Sequence, residues 1–229
     1  MQLPLKLSLR DEAIFSNFIV GDNAQTIATL KKWIEKRHEP FLFCYGEKGS
    51  GKTHVLQACC HAFSEKEITV FYFSLTHFHL LSPAIFESLE KKSVVCIDDV
   101  DAIIEKRDWE EALFHFYNRA KERGTALLMS ASKSPQQLFY ALKDLKSRLS
   151  SGLTLEIKAL TDAEKIDALK MRAQLRGFTL SDDVMHYLIH HYSRSMHDLF
   201  AALEKLDQAS LIEKKRLTIP FVKRIMTTV

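Results

Sequence analysis

Apolar and polar residues change rhythm along this chain near residue 158. Before that point, short solid apolar runs alternate with longer stretches in which apolar residues recur every three or four positions. The solid runs predict buried strands over 41–45, 69–73, 94–98, 126–130 and 154–157. The stretches between them predict helices. One follows Asp22-Asn23 and runs to about residue 36, with Ile27, Leu30, Trp33 and Ile34 on one face. A second covers 52–63, and a third covers 109–123 until Gly124 stops it. Beyond residue 158 only helical spacing remains, over about 162–175, 182–192, 196–208 and 219–227. Alternating strands and helices followed by helices alone predict an α/β domain with a small helical domain appended.

Local signals sharpen several helix starts. Ser82-Pro83 and Ser134-Pro135 each offer an N-cap with proline at the first helical position. Thr161 and Glu164 form a capping-box pair, and Ser195-Met196-His197-Asp198 opens a helix in the same style.

The strand predicted at 41–45 runs directly into Gly46-Glu47-Lys48-Gly49-Ser50-Gly51-Lys52-Thr53, a full match to GxxxxGK[ST] between a strand and a helix. Glycines let the backbone curl so that successive N–H groups face phosphate oxygens, and the following helix adds its positive end. Lys52 then neutralises the β and γ phosphates, and the Thr53 hydroxyl ligates Mg²⁺. The strand at 94–98 ends in Asp98-Asp99, 46 residues beyond Lys52. Asp98 is the expected Mg²⁺ ligand, directly or through water, and Asp99 the residue that orients or deprotonates an attacking water. Arg148, expected on an exposed loop just before the fifth strand, is the candidate for stabilising transition-state charge. By spacing alone the surface-arginine reading is the favoured one.

Composition narrows the class further. With 46% hydrophobic and 27% charged residues the chain can bury a sizeable core. Its longest apolar runs are strand-sized, which leaves no membrane span, and the start of the chain lacks a basic head and a small-residue cleavage site. The expectation is a cytoplasmic protein. Charge is evenly spread: 21 basic and 20 acidic residues over 1–159, 11 and 9 over 160–229. No concentrated basic face for non-specific nucleic-acid binding is evident. Cys44, Cys59, Cys60 and Cys96 show neither CxxC nor zinc spacing and read as reduced structural thiols. The closest histidine groupings, His77/His79 and His190/His191, lack further ligands at convincing spacing.

Together these motifs resemble a known family. Phe15–Asn23 is similar to the segment that opens the AAA+ domain of the bacterial replication initiator DnaA. The P-loop, Asp98-Asp99 and 145–157 (LKSRLSSGLTLEI) continue the resemblance. The helical tail, at 172–178 and 217–223, is similar to that of the short DnaA paralogues that promote regulatory inactivation of the initiator. The likeness covers essentially the whole chain.

It implies an AAA+ P-loop αβα domain with a five-stranded parallel sheet over 11–159, a helical lid over 160–229, and an N-terminal arm over 1–10. It implies ADP or ATP with Mg²⁺, held by Ile19, Val20, Asn23, Gly46, Gly49, Ser50, Gly51, Lys52, Thr53, His54 and His197, with Thr53 and Asp98 on the metal. Asp99 would be catalytic, and Arg148 matches an arginine finger offered to nucleotide in an adjacent DnaA subunit. Gln2, Leu3, Leu5 and Leu7 resemble the QLxLxL peptide that docks on the polymerase III β sliding clamp, an extended strand whose alternate side chains fill pockets. The implied partners are therefore DnaA and the clamp, with indirect DNA and nucleoid association through the clamp, and self-association into a homo-oligomer is compatible.

Two positions depart from the family pattern. Sensor 1 falls at Ser132 rather than a carboxylate, and sensor 2 falls at His197 rather than arginine, with Arg194 one turn earlier as a possible substitute. Both put efficient hydrolysis by this chain itself in doubt. No residues follow the lid to build a helix-turn-helix domain, which argues against a DNA-binding ATPase. The alternative reading is an ATPase remodeller such as a helicase loader.

Overall fold

A computed structural model describes residues 13–36 and 38–227. Five strands form one parallel sheet: β1 (Phe41–Tyr45), β2 (Val70–Ser74), β3 (Val94–Asp98), β4 (Ala126–Ala131) and β5 (Leu153–Glu156), in the order β2-β3-β4-β1-β5. Parallel strands need crossovers, and the helices that make them cover both faces. The side-chain period of two then decides which helix each residue meets. Leu42, Cys44, Val94, Cys96 and Leu128 pack with α1 (Ala24–Lys36) and α2 (Lys52–Ser64), through Leu30, Trp33, Leu56, Cys59 and Phe63. Phe41, Phe43, Val95, Ile97 and Met129 pack on the other side. There they meet α3 (Arg107–Arg123) and α4 (Lys143–Leu149), through Leu113, Phe116, Leu145 and Leu149. Burial on both faces is why the central strands are solidly apolar runs. The predicted α/β architecture with a five-stranded parallel sheet is the one observed.

The described residues divide into two compact units, one of residues 13–36, 38–47 and 51–158, the other of residues 48–50 and 159–227. The second holds α5 (Asp162–Leu175), α6 (Asp182–His191), α7 (Met196–Glu213) and α8 (Ile219–Thr227). Leu169, Met185, Leu188, Leu199, Leu203 and Val222 are buried in it. Around them Lys170 pairs with Asp182, and Arg176 with Glu204 and Asp207.

The capping box at the start of α5 forms as expected. The Glu164 amide donates to the Thr161 hydroxyl at 3.3 Å, while the Glu164 carboxylate accepts from the Thr161 amide at 2.7 Å. Those bonds from Thr161 hold the Glu164 carboxyl below the usual range. Thr161→Ala is expected to destabilise the helical unit by about 0.5–2 kcal/mol, read as a lower denaturant midpoint. An unchanged midpoint would show that the cap contributes nothing.

Four local expectations are corrected. Ser195 precedes α7 without a side-chain cap bond; the Ser193 hydroxyl instead accepts from the Ser195 amide and donates to Asp198. Ser82-Pro83 and Ser134-Pro135 each start only a single 3-10 turn, Pro83–Phe86 and Pro135–Gln137, because Glu87 and Leu138 return to extended backbone. α7 continues past 208 to Glu213, since nothing breaks the backbone until Lys214 turns left-handed; Leu211 and Ile212 are exposed on the added turn. Arg148 lies not on a loop but in the last turn of α4, a helix whose apolar stripe is only Leu145 and Leu149.

Candidate nucleotide site

The site starts where β1 stops. The Gly46 amide donates to the Ala131 carbonyl at 3.3 Å, tying the loop's first residue to the end of the neighbouring β4. Gly49 and Gly51 take φ of +84° and +101°, conformations that L side chains rarely adopt, so the loop curls before α2 begins at Lys52. Gly51 is required for a second reason, since a Cβ there would lie 2.9 Å from the Phe18 ring. Phe18 also meets His54 edge-on at 5.3 Å, and His54 Nε2 lies 3.0 Å from the Ile14 carbonyl. The segment leading to Ile19 and Val20 is thereby anchored to the start of α2, with Ile19 half-buried and Val20 exposed beside it. Asn23 is buried and uses both ends of its amide on Lys158: Nδ2 donates to the carbonyl at 3.1 Å and Oδ1 accepts from the amide at 2.7 Å. Its contribution is to pin this segment to the chain leaving β5.

Three features fit a phosphate and a metal ion. Lys52 is buried, and its ammonium donates to the carbonyls of Gly46 at 2.8 Å and Glu47 at 3.0 Å. A cation is thus stored inside the loop. Ser50 is buried and its hydroxyl has no partner among the described residues. A buried orphan hydroxyl costs stability unless a ligand completes it. Finally, the Thr53 hydroxyl is near enough to Asp98 to favour its charged form, which places the two oxygen ligands expected of a magnesium site close together.

Asp98 is fully buried at the end of β3. Neighbouring strands hold it: the Tyr72 hydroxyl of β2 donates at 3.1 Å, and the Ser130 hydroxyl of β4 donates to Oδ1. Burial, and then the charge of Asp99, push its carboxyl above the usual range, while the hydroxyls of Ser130, Thr53 and Tyr72 pull the other way. A divalent cation would relieve that penalty. The same burial, reinforced by Asp98, pushes the Cys44 thiol up to about 12, so it stays neutral. All four cysteines are free and buried.

Asp99 is left-handed, φ +55°, which turns its carboxylate out of the strand line. That carboxylate accepts from the Thr76 hydroxyl at 2.7 Å and the Ser74 hydroxyl at 3.3 Å, both just past or at the end of β2. Its amide donates to the Ser130 hydroxyl at 3.0 Å. Tyr72, Ser74, Thr76 and Ser130 are functional neighbours that the sequence did not announce. Ser132, the position expected at sensor 1, gives both amide (2.9 Å) and hydroxyl to Asp101.

Arg148 is half-buried in the first unit, its guanidinium over the Phe114 ring at 6.0 Å. In the helical unit His197 is exposed in the first turn of α7. Arg194, also exposed, helps Lys165 hold the Asp162 carboxyl below its usual range. Gln2, Leu3, Leu5 and Leu7 lie outside the described residues. No group of three or more potential metal ligands of the His, Cys, Asp and Glu type occurs among the described residues, and none of the described helices is long and apolar enough to cross a membrane.

Sheet order, glycine loop, buried lysine and paired aspartates define a P-loop nucleotide-binding protein of AAA+ type. The model of the bacterial DnaA ATPase domain matches residues 9–156, and that of the Hda lid domain matches residues 162–226. The chain belongs to the DnaA-related AAA+ family, with a lid of the Hda type. It is 42% identical over 226 residues to an uncharacterized protein of Haemophilus influenzae, covering 98% of both chains. Its fold is similar to domain III of DnaA from Thermotoga maritima, with a TM-score of 0.83 at 21% identity, covering 96% of this chain and 98% of that one. It is also similar to AMPPCP-bound DnaA from Aquifex aeolicus, with a TM-score of 0.71 at 23% identity, covering 86% and 65%.

Proposed function

We propose that this protein is a nucleotide-bound adaptor that stimulates ATP hydrolysis by the initiator DnaA while tethered to the DNA-loaded sliding clamp, and so prevents re-initiation. Residues 1–10 form the clamp-binding arm, 11–159 the AAA+ domain and 160–229 the lid. The observation that carries this reading is Arg148. It stands in the last turn of a helix of its own over an aromatic face, and among the described residues no carboxylate pairs with it. An arginine so placed has its donors available for a phosphate outside its own nucleotide site.

The chain's own site then serves as a sensor. Lys52, the loop amides of Gly46–Thr53 and the Ser50 hydroxyl bind the phosphates of ADP or ATP. Ile19 and Val20 offer apolar surface to the base, next to His54, and His197 is the lid's candidate contact. Thr53 and Asp98 hold Mg²⁺, which when bound neutralises phosphate charge. Asp99 is the candidate for orienting water, but two hydroxyls already bond its Oδ2, and Ser132 is committed to Asp101. Both support weak turnover by this chain alone.

The experiment measures hydrolysis of DnaA-bound ATP with this protein and clamp-loaded DNA. Wild type is expected to accelerate it. Leu3→Ala with Leu5→Ala is expected to lose both the acceleration and clamp binding. No acceleration by wild type would remove the proposal, and undiminished clamp binding by the double variant would remove the arm from it.

A further inference from the structure

We propose that Tyr117 and Ser151 are positioning residues for Arg148, forming a strut from the sheet through α3 to the backbone on which the guanidinium is mounted; this rests on the reading of Arg148 as acting in trans. Phe114 and Tyr117 are three residues apart on α3 and share a face. Phe114 lies under the Arg148 guanidinium. Tyr117 reaches the backbone of the same residue through one intermediary. The Ser151 hydroxyl donates to the Arg148 carbonyl at 2.7 Å, and the Ser151 amide donates to it at 3.1 Å. Ser151 Oγ and the Tyr117 hydroxyl are 3.0 Å apart. A serine has one hydroxyl proton, and Ser151 gives it to Arg148. Tyr117 must therefore be the donor to Ser151, so the chain of bonds has one direction.

Both ends of the strut are fixed. The Tyr117 ring is buried and meets Phe41 of β1 edge-on at 5.3 Å. Gly152, the residue after Ser151, passes so close to β1 that a Cβ would lie 2.5 Å from the Phe41 carbonyl oxygen. The Arg148 carbonyl is one of the acceptors that a helix C-terminus leaves unpaired. Here it is satisfied twice by a residue that cannot slide. The sheet therefore sets the direction in which α4 ends, and the face of Phe114 sets where the guanidinium rests. A transition-state contact depends on such placement, since a misplacement of about 1 Å costs on the order of 10²-fold in rate.

The test uses the full chain. Tyr117→Phe removes only the hydroxyl, and Ser151→Ala only the relay. Each is expected to lower the saturating rate of DnaA-bound ATP hydrolysis about tenfold, leaving the chain's own nucleotide affinity unchanged. Ser151→Thr is expected to restore the rate. In an Arg148→Ala background neither variant should cost anything further. Wild-type rates from both variants, or an additional loss without Arg148, would overturn the proposal. Amide exchange at Ser150 and Ser151, read without DnaA, separates this proposal from the function it rests on. Exchange should rise about tenfold or more in Tyr117→Phe and Ser151→Ala, and unchanged exchange refutes the strut whether or not wild type stimulates DnaA.

Discussion

Arg148→Ala is expected to reduce stimulation of DnaA-bound ATP hydrolysis by about 10³–10⁵-fold, the range of an arginine finger supplied in trans. The effect is large because phosphoryl transfer depends on charge placed against the transferring group rather than on covalent chemistry by the protein. Nucleotide binding by the chain itself should not change. Arg148 closes α4 and rests on Phe114, whereas Lys52 is stored in the loop after β1. Stability should change little, because a half-buried arginine over one ring contributes about 0.5–1 kcal/mol. Arg148→Lys should fare nearly as badly. Lysine keeps the charge but loses the planar fork that bonds two phosphate oxygens together. Full stimulation by Arg148→Ala, at clamp and DnaA concentrations where wild type saturates, would remove the finger from the mechanism.

What the residues announced, and what they hid, follows from how each feature is specified. The central strands were legible because helices cover both sheet faces, so Leu42 and Phe43, or Val94 and Val95, are apolar for opposite partners. The glycine loop was legible because φ values of +84° and +101° restrict the residue type at Gly49 and Gly51. α4 was hidden because seven residues give one apolar pair and Leu142 offers no cap. The surroundings of Asp98 and Asp99 were hidden for a different reason. Ser74 lies beside Asp98 only because β2 pairs with β3 in that register, and Ser130 arrives from β4 on the other side. Strand order is a three-dimensional fact, and a serine at the end of one strand carries no mark of the carboxylate it will meet. The Tyr117–Ser151 relay was equally silent, spanning 34 residues with two common side chains.

Those hidden contacts bear on function as much as the legible motif does. A glycine loop with two aspartates describes a machine that turns over ATP. One oxygen of the Asp99 carboxylate is already held by Ser74 and Thr76, and Ser132 is bonded to Asp101. On the proposed reading, the loop retains a nucleotide and turns it over slowly.

Lys52→Met tests the retention, and its expected effect is a loss of nucleotide affinity of at least about 10²-fold. The lysine is buried with its ammonium 2.8 Å and 3.0 Å from the Gly46 and Glu47 carbonyls. A nucleotide therefore meets a cation whose desolvation was completed on folding, and gains its field at low local dielectric. Charge-assisted hydrogen bonds contribute about 1.5–3 kcal/mol each, so two to phosphate oxygens account for the expected loss. The loop amides and the start of α2 remain, so weak binding should persist. Methionine fills a similar volume but leaves two carbonyls without their donor, so the nucleotide-free protein should also unfold at a lower midpoint. Lys52→Arg should not rescue, because a larger planar fork cannot occupy a position sized for one ammonium. Calorimetry with ADP and with ATP decides the matter: affinity within threefold of wild type would mean that the stored lysine braces the loop and does not bind phosphate. If instead binding falls and clamp binding survives, the two ends of the adaptor act independently. If both fall together, nucleotide occupancy at Gly46–Thr53 governs the tether as well as the sensor.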